Sequence, residues 1–418
     1  MNFERDYRLS TEAIVATAHL SVGAAQVFNI LNNPSSWGQT RLPRVASAIF
    51  PSKVVLSFGR MERATVGISP WSSDFCEIDV VLDGFSDATA RAELETYWVA
   101  VLEMLRSRIG QESFVLASSP SKVNVYFAVG SFLKDGFHEV ASCYQALSLR
   151  EKVKVELTSR FSINIAGPMG EQSKGLVPTD TSNLVYKAGL ELQQLGSELG
   201  PDLVAFTIHK SVPVAGGMAG GSADGAAALI AMHALFDLKV ENQLPEAAAK
   251  LGSDVPFSLV GGTAVGLGRG EKLSKLDTEA VLHWVVTPSA VGLSTPNVYR
   301  QLDVMRVEAG VDVTKLKQPT VPDELLEALT SGNPYEVAKY MHNDLEIAAL
   351  ALRPELAEII DAGKKAEALR SMVSGSGPTI AHLAKSRLHA EQIVNRLGIA
   401  GFPSVATHTS ATGTRLEN

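Results

Sequence analysis

The sequence predicts an α+β protein of two or three domains, and three observations carry that prediction. The chain has 418 residues, more than one core organises at roughly 150 residues per domain. Strand patterns bunch in the first two thirds, whereas helical patterns dominate after about residue 288. A long helical pattern stops at Gly110, and the polar stretch Gln111–Ser113 then separates an N-terminal unit, residues 1–112, from the remainder.

Within that first unit, Thr17–Val22 reads as a strand and Ala24–Leu31 as a short helix, ended by Asn32, Asn33 and Pro34. Strand-like runs follow at Val54–Phe58, Thr65–Ile68 and Glu77–Leu82. Leu94, Trp98, Val101, Leu102, Leu105 and Ile109 then recur at helical spacing. A strand, a small helix, a sheet and a long terminal helix describe a sheet wrapped round a helix.

Beyond Phe114, Ser121–Val129 and Glu139–Leu149 read as strands. Lys152–Leu157 and Ser162–Ile165 are expected to pair as a hairpin through Ser159 and Arg160. Asn183–Leu195 reads as a helix capped by Thr181 or Ser182. Leu203–His209 is a strand, followed by a glycine-rich loop and an apolar helix. Short strands are expected near Ser371–Val373, Ile380–Leu383 and Ser404–Thr407.

Composition narrows the function classes. Apolar residues make up 45% of the chain and charged residues 20%, which excludes whole-chain disorder. A net charge of −8 argues against binding nucleic acid, which favours a basic footprint. Cys76 and Cys143 are the only cysteines, and no HExxH pattern occurs, so neither a disulfide framework nor a protein-held metal is expected. Charges stand where a signal peptide needs an apolar run, and the most apolar helix, Ala226–Phe236, is about half the ~20 residues of a membrane span. The expectation is a soluble, cytoplasmic protein without a membrane or nucleic-acid partner.

The segment richest in chemistry is Pro213, Val214, Ala215, Gly216, Gly217, Met218, Ala219, Gly220, Gly221, Ser222, Ala223, continuing through Asp224 to Gly225. Five glycines in thirteen residues expose backbone N–H groups, and the helix that follows turns its positive end to the loop. Both features favour an anion. Ser222 can cap that helix or donate its hydroxyl to a phosphate. The loop lacks the closing Gly-Lys-Ser/Thr of a Walker A motif and the G-x-G-x-x-G of a dinucleotide fold. Upstream, Pro120-Ser-Lys-Val-Asn-Val-Tyr-Phe127 reads as a strand whose alternation puts Lys122, Asn124 and Tyr126 on one face and Val123 and Val125 on the other. Near the C-terminus, Val373-Ser-Gly-Ser-Gly-Pro-Thr379 is a second glycine-rich turn.

Taken in this order, the three segments resemble the three signatures of the GHMP kinases. Asp135-Gly-Phe-His-Glu-Val140, Val177-Pro-Thr-Asp-Thr-Ser-Asn183, Leu251-Gly-Ser-Asp-Val-Pro-Phe257, Gly261-Gly-Thr-Ala-Val-Gly266 and His342-Asn-Asp-Leu-Glu346 narrow the resemblance to the diphosphocytidyl-methylerythritol kinases. It covers residues from about 114 to 410 and departs from the family pattern at Ser121, at Phe137 and in the extra N-terminal unit, which itself is weakly similar to helix-grip, START-like domains.

The resemblance implies a two-lobed kinase, with a ribosomal-S5-like lobe over residues 113–288 and a ferredoxin-like lobe over 289–418. It implies γ-phosphoryl transfer from ATP, accompanied by Mg²⁺ carried on the nucleotide, to the 2-hydroxyl of a small cytidine-diphosphate substrate in non-mevalonate isoprenoid synthesis. Asp254 matches the catalytic aspartate and Lys122 the catalytic lysine. Pro213–Ala223 match the ATP-phosphate loop. Phe137 and Tyr299 match two rings that stack the base, His138 its cytosine partner, Asn124 a contact to substrate hydroxyls, and Ser376 and Gly377 the lining of the site. A homodimer, and an apolar ligand within residues 1–112, stay open. So do two other readings, a GHMP kinase for homoserine or mevalonate and a catalytically dead nucleotide-binding regulator.

Overall fold

The computed structural model describes residues 14–20, 24–32, 34, 37, 43–58, 63–72, 75–83, 88–109, 114–134, 136–158, 160–214, 216–289 and 291–417. Ala215, Asp135, Ser159 and the polar stretch 111–113 therefore lie outside the described residues. The chain divides into two compact units, the second being Phe114–Glu417.

The first unit runs β1 (Ile14–Leu20), α1 (Ala24–Leu31), β2 (Arg44–Ile49), β3 (Lys53–Ser57), β4 (Arg63–Ser72), β5 (Phe75–Asp83) and α2 (Ala88–Ile109). Its five strands form an antiparallel sheet in the order β1-β5-β4-β3-β2. Alternate residues (Val54, Leu56; Ala64, Val66, Ile68; Cys76, Ile78, Val80, Leu82) put one apolar face of this sheet into the core. Leu94, Trp98, Val101, Leu102 and Leu105 of α2 pack into the same cluster with Val27, Leu31 and Trp37. The spacing of those α2 residues is a single apolar stripe, and that stripe made the helix readable in sequence. β2 was not anticipated, because its six residues are all exposed and show no alternation.

The second unit opens with two long paired strands, β6 (Phe114–Phe132) and β7 (His138–Leu157). There follow β8 (Ser162–Ala166), α3 (Gly170–Ser173), α4 (Leu184–Gln194), β9 (Val204–His209), α5 (Gly220–Leu235), α6 (Leu244–Leu251), α7 (Val255–Val260), β10 (Thr263–Leu267) and β11 (Lys272–Leu276). The chain continues with β12 (His283–Thr287), α8 (Thr295–Glu308), α9 (Asp323–Ser331), α10 (Pro334–Tyr340), β13 (His342–Asn343), α11 (Glu346–Leu352) and α12 (Glu355–Lys365). It closes with β14 (Arg370–Val373), β15 (Ile380–Ala384), α13 (Arg387–Ile399), β16 (Val405–His408) and β17 (Arg415–Leu416).

Two sheets result. The larger has the path β11-β10-β7-β6-β13, with β9 on the far half of β7, β8 on β9, and β17 on β6. The smaller is antiparallel in the order β14-β15-β12-β16 and packs against α12 and α13. β12 hydrogen-bonds into this second sheet, so residues 283–287, expected with the first lobe, pair with strands of the second.

Three further expectations are corrected. Lys152–Leu157 and Ser162–Ile165 do not form a hairpin: β9 lies between them, antiparallel to β7 and parallel to β8. The crossover between β8 and β9 carries α4, whose Val185, Ala188 and Leu192 enter the core, and a tight hairpin could not have buried them. Neither Thr181 nor Ser182 caps α4: Asn183 does, its side chain accepting from the Val185 N–H at 3.0 Å, while Ser182 donates to Asp180. Ser222 does not cap α5, whose N-cap is Ala219 at φ 56°, so Ser222 lies inside the first turn.

Candidate active site

Lys122 sits near the middle of β6, 5% exposed. Its backbone N–H donates to the Met218 carbonyl at 3.2 Å. Its ammonium donates to Asn124 Oδ1 at 2.6 Å and lies 3.7 Å from Asp254 Oδ2. Burial pulls the Lys122 pKa below the ordinary lysine value, and the Asp254 carboxylate works against that shift. Asp254 reaches this position as the N-cap residue of α7, with Pro256 in the first turn and its own carbonyl accepting from the Ser258 hydroxyl. Its carboxylate is 30% exposed, so it faces an open side of the site while Lys122 stays covered.

The alternation expected along β6 holds only in part. Lys122, Asn124, Ala146 and Tyr144 pair in register, but a shift between Asn124 and Tyr126 sets Tyr126 opposite Cys143. Tyr126 therefore packs against the cluster containing Val123, Val125 and Cys143 instead of sharing the face of Lys122. Asn124 stays on that face, its amide donating to Ser142 Oγ at 2.7 Å. The buried Tyr144 ring stacks on Phe257 at 5.0 Å and forms the floor, and its hydroxyl pKa is pushed well up by burial and by Asp254.

The glycine loop meets the second glycine turn directly. A Cβ at Gly217, φ +74°, would come within 2.6 Å of the Ser374 carbonyl, and Thr379 N–H donates to the Gly216 carbonyl at 3.2 Å. Gly375, φ +59°, lies against Lys122 and Asn124: a Cβ there would stand 2.9 Å from Asn124 Oδ1 and 3.4 Å from Lys122 Nζ. Met218 is 1% exposed and packs into the core, so it can offer the site only its backbone. Helix α5 carries no side-chain cap, and its first N–H bonded into the helix is that of Ala223, to Ala219. The N–H groups of Gly220, Gly221 and Ser222 are the orphan donors of its first turn, which is the geometry that suits an anion.

The residues expected to hold a base lie at the other end of β7. His138 is 8% exposed and its ring stacks on Tyr299 at 5.0 Å and 30°. Phe137, beside it, is 51% exposed, with the Arg269 guanidinium 4.1 Å above the ring. Burial, and then the Asp254 charge, hold the Tyr299 hydroxyl pKa above its ordinary value. Ser376 exchanges a hydrogen bond of 2.8 Å with Thr295 at the start of α8.

The matches to known proteins fit this geometry. Residues 183–262 match the GHMP kinases N terminal domain, and residues 325–402 the GHMP kinases C terminal. A 4-diphosphocytidyl-2-C-methyl-D-erythritol kinase from Rhodococcus jostii (strain RHA1) is 44% identical over 292 residues, covering 69% of this chain and 89% of that one. Its counterpart from Nocardia farcinica (strain IFM 10152) is 43% identical over 69% of this chain and 90% of its own length. The chain belongs to the 4-diphosphocytidyl-2-C-methyl-D-erythritol kinases. A crystal structure of 4-(cytidine 5'-diphospho)-2C-methyl-D-erythritol kinase superposes with a TM-score of 0.56 at 30% identity, covering 71% of this chain and 99% of that one. A homoserine kinase from Cytophaga hutchinsonii, at 19% identity and TM-score 0.52, shares the GHMP fold.

Two supports of this kinase site were not singled out as site residues. Asn343 donates to the carbonyls of Val373 and Gly375, both at 2.8 Å, and so shapes the turn beside Lys122. Its motif was visible in sequence, but its reach to residue 373 was not. Beneath the glycine loop, Lys210 Nζ lies 2.7 Å from both Glu151 Oε1 and Asp224 Oδ2, and all three side chains are buried. They come from three separate elements, so no local spacing joins them.

Proposed function

We propose that this chain transfers the γ-phosphoryl group of ATP to the 2-hydroxyl of 4-diphosphocytidyl-2-C-methyl-D-erythritol, a step of non-mevalonate isoprenoid precursor synthesis. The observation that carries it is the ammonium of Lys122, 3.7 Å from the Asp254 carboxylate, where both glycine-rich turns meet. The substrate class rests on relatives of that name at more than 40% identity along about nine tenths of their length.

In this reading the orphan N–H groups of Gly220, Gly221 and Ser222 hold phosphate oxygens. Lys122 offsets charge on the phosphoryl group in flight, and Asp254 orients the acceptor hydroxyl and takes its proton. Phosphoryl transfer needs positioning and charge neutralisation more than covalent chemistry, and these groups supply both. Among the described residues no three His, Cys, Asp or Glu side chains group to hold a metal. Mg²⁺ carried on the nucleotide would neutralise charge on its phosphates. No helix among the described residues is long and apolar enough to cross a membrane.

An ADP-release assay with ATP and a panel of alcohols tests the reading. Turnover is expected with the cytidine-bearing alcohol; turnover with homoserine or mevalonate in its place rejects it. Within the same assay, Phe137→Ala is expected to weaken the cytidine substrate by about 1–3 kcal/mol, the weight of one stacked base. ATP affinity should stay unchanged, and equal losses for both ligands would remove the stacking role.

A further inference from the structure

The His138 imidazole is fixed from three sides. Tyr299 stacks beneath it at 5.0 Å and 30°, Phe132 meets its edge at 5.1 Å and 62°, and Asp303 closes the third side. Both carboxylate oxygens of Asp303 reach one ring nitrogen, Nε2, at 2.9 and 3.0 Å. Tyr299 and Asp303 stand four residues apart on α8 and so share one face of it. One helix thus supplies both the surface on which the ring lies and the group that binds its far nitrogen. An ionised carboxylate accepts hydrogen bonds and cannot donate them, so Nε2 carries the proton. A neutral ring then has its lone pair on Nδ1, which takes no hydrogen bond from any described residue.

We propose that Asp303 is a positioning residue for base recognition: it holds His138 with the proton on Nε2, so that Nδ1 accepts a hydrogen bond from the exocyclic amine of cytosine. The inference rests on the proposed cytidine-bearing substrate and adds what selects that base. Cytosine presents an N–H donor at this position; uracil presents a carbonyl oxygen, which would oppose the Nδ1 lone pair, acceptor against acceptor. Sites built to pair a polar group reject the analogue that leaves it unpaired, and here the pairing depends on a tautomer set from behind.

The test uses the full chain, with CDP and UDP as probes and the variants Asp303→Ala and Asp303→Asn. Histidine-selective ¹⁵N labelling, with the His138 signal assigned by its loss in His138→Gln, should show a neutral ring protonated at Nε2. In Asp303→Ala the tautomer should become mixed and CDP affinity should fall about tenfold, the weight of one hydrogen bond, with UDP affinity nearly unchanged. ATP affinity should not move. Asp303→Asn keeps an acceptor oxygen and should restore most of the tautomer and of the CDP preference. An Nδ1-protonated or doubly protonated ring in the wild-type protein overturns the proposal. So does an Asp303→Ala protein with an undisturbed ring or with equal losses for CDP and UDP. The ring's proton position is read without turnover, so a failure of the kinase assay rejects the proposed function and leaves this measurement to decide separately.

Discussion

Asp254→Asn is expected to lower kcat by about 10²–10⁴-fold, the span attributed to a positioned acid or base, while the protein still binds ATP. The substitution is nearly isosteric, keeps Asp254's backbone place at the start of α7, and removes only the charge and the proton acceptor. Its second effect concerns Lys122. Burial already lowers the pKa of that lysine, and the Asp254 carboxylate is the group resisting the shift. Without it the ammonium loses its proton at a lower pH. Affinity for a non-hydrolysable ATP analogue, titrated between pH 7 and 10, should therefore begin to fall earlier in Asp254→Asn than in the wild-type protein. A variant that retains kcat, or whose affinity profile overlays that of the wild type, would dissociate Asp254 from both roles.

Legibility in the sequence followed locality. The glycine loop at 213–225 could be read because bare backbone before an apolar helix is a local property, and the α2 stripe because helical periodicity is. The approach of Lys122 to Asp254 was reachable only through resemblance, since 131 intervening residues carry no spacing rule. The side taken by Tyr126 was missed because a register shift belongs to a pair of strands, not to one. The same reason explains the failed hairpin at 152–165: β9 competes for both partners, and the buried face of α4 decides the outcome. The N-cap of α4 went to Asn183 although three adjacent residues could each have capped. Pro178 settles it, since its carbonyl accepts from the Asn183 amide at 2.6 Å and leaves Oδ1 for the helix.

Lys210→Met should be the most destabilising single change in the second unit, at roughly 3–5 kcal/mol, because removing one member of a buried ionic cluster leaves uncompensated charge. Here it would leave two buried carboxylates, Glu151 and Asp224, each having lost an ammonium 2.7 Å away. Neither can turn to water, and Gly220 packs directly on Glu151 and Lys210: a Cβ there would lie 3.0 Å from Glu151 Oε1 and 3.4 Å from Lys210 Nζ. Burial drives the Glu151 carboxyl up to about 7, from an ordinary value near 4.5, against the pull of Lys210. A carboxyl whose folded pKa is raised binds its proton more tightly when folded. Its contribution to stability is therefore complete below pH 4.5 and is lost as pH rises toward 7. Glu151→Gln should erase that slope: the stability difference between variant and wild type, from urea unfolding, should grow in the variant's favour from pH 5 to pH 7. The triple variant Glu151→Gln, Lys210→Met, Asp224→Asn should regain most of what Lys210→Met loses, since its deficit is stranded charge and not packing. If Lys210→Met unfolds at the wild-type urea midpoint, the cluster does not anchor the glycine loop. If the triple variant is as unstable as the single one, the loss lies in shape rather than charge.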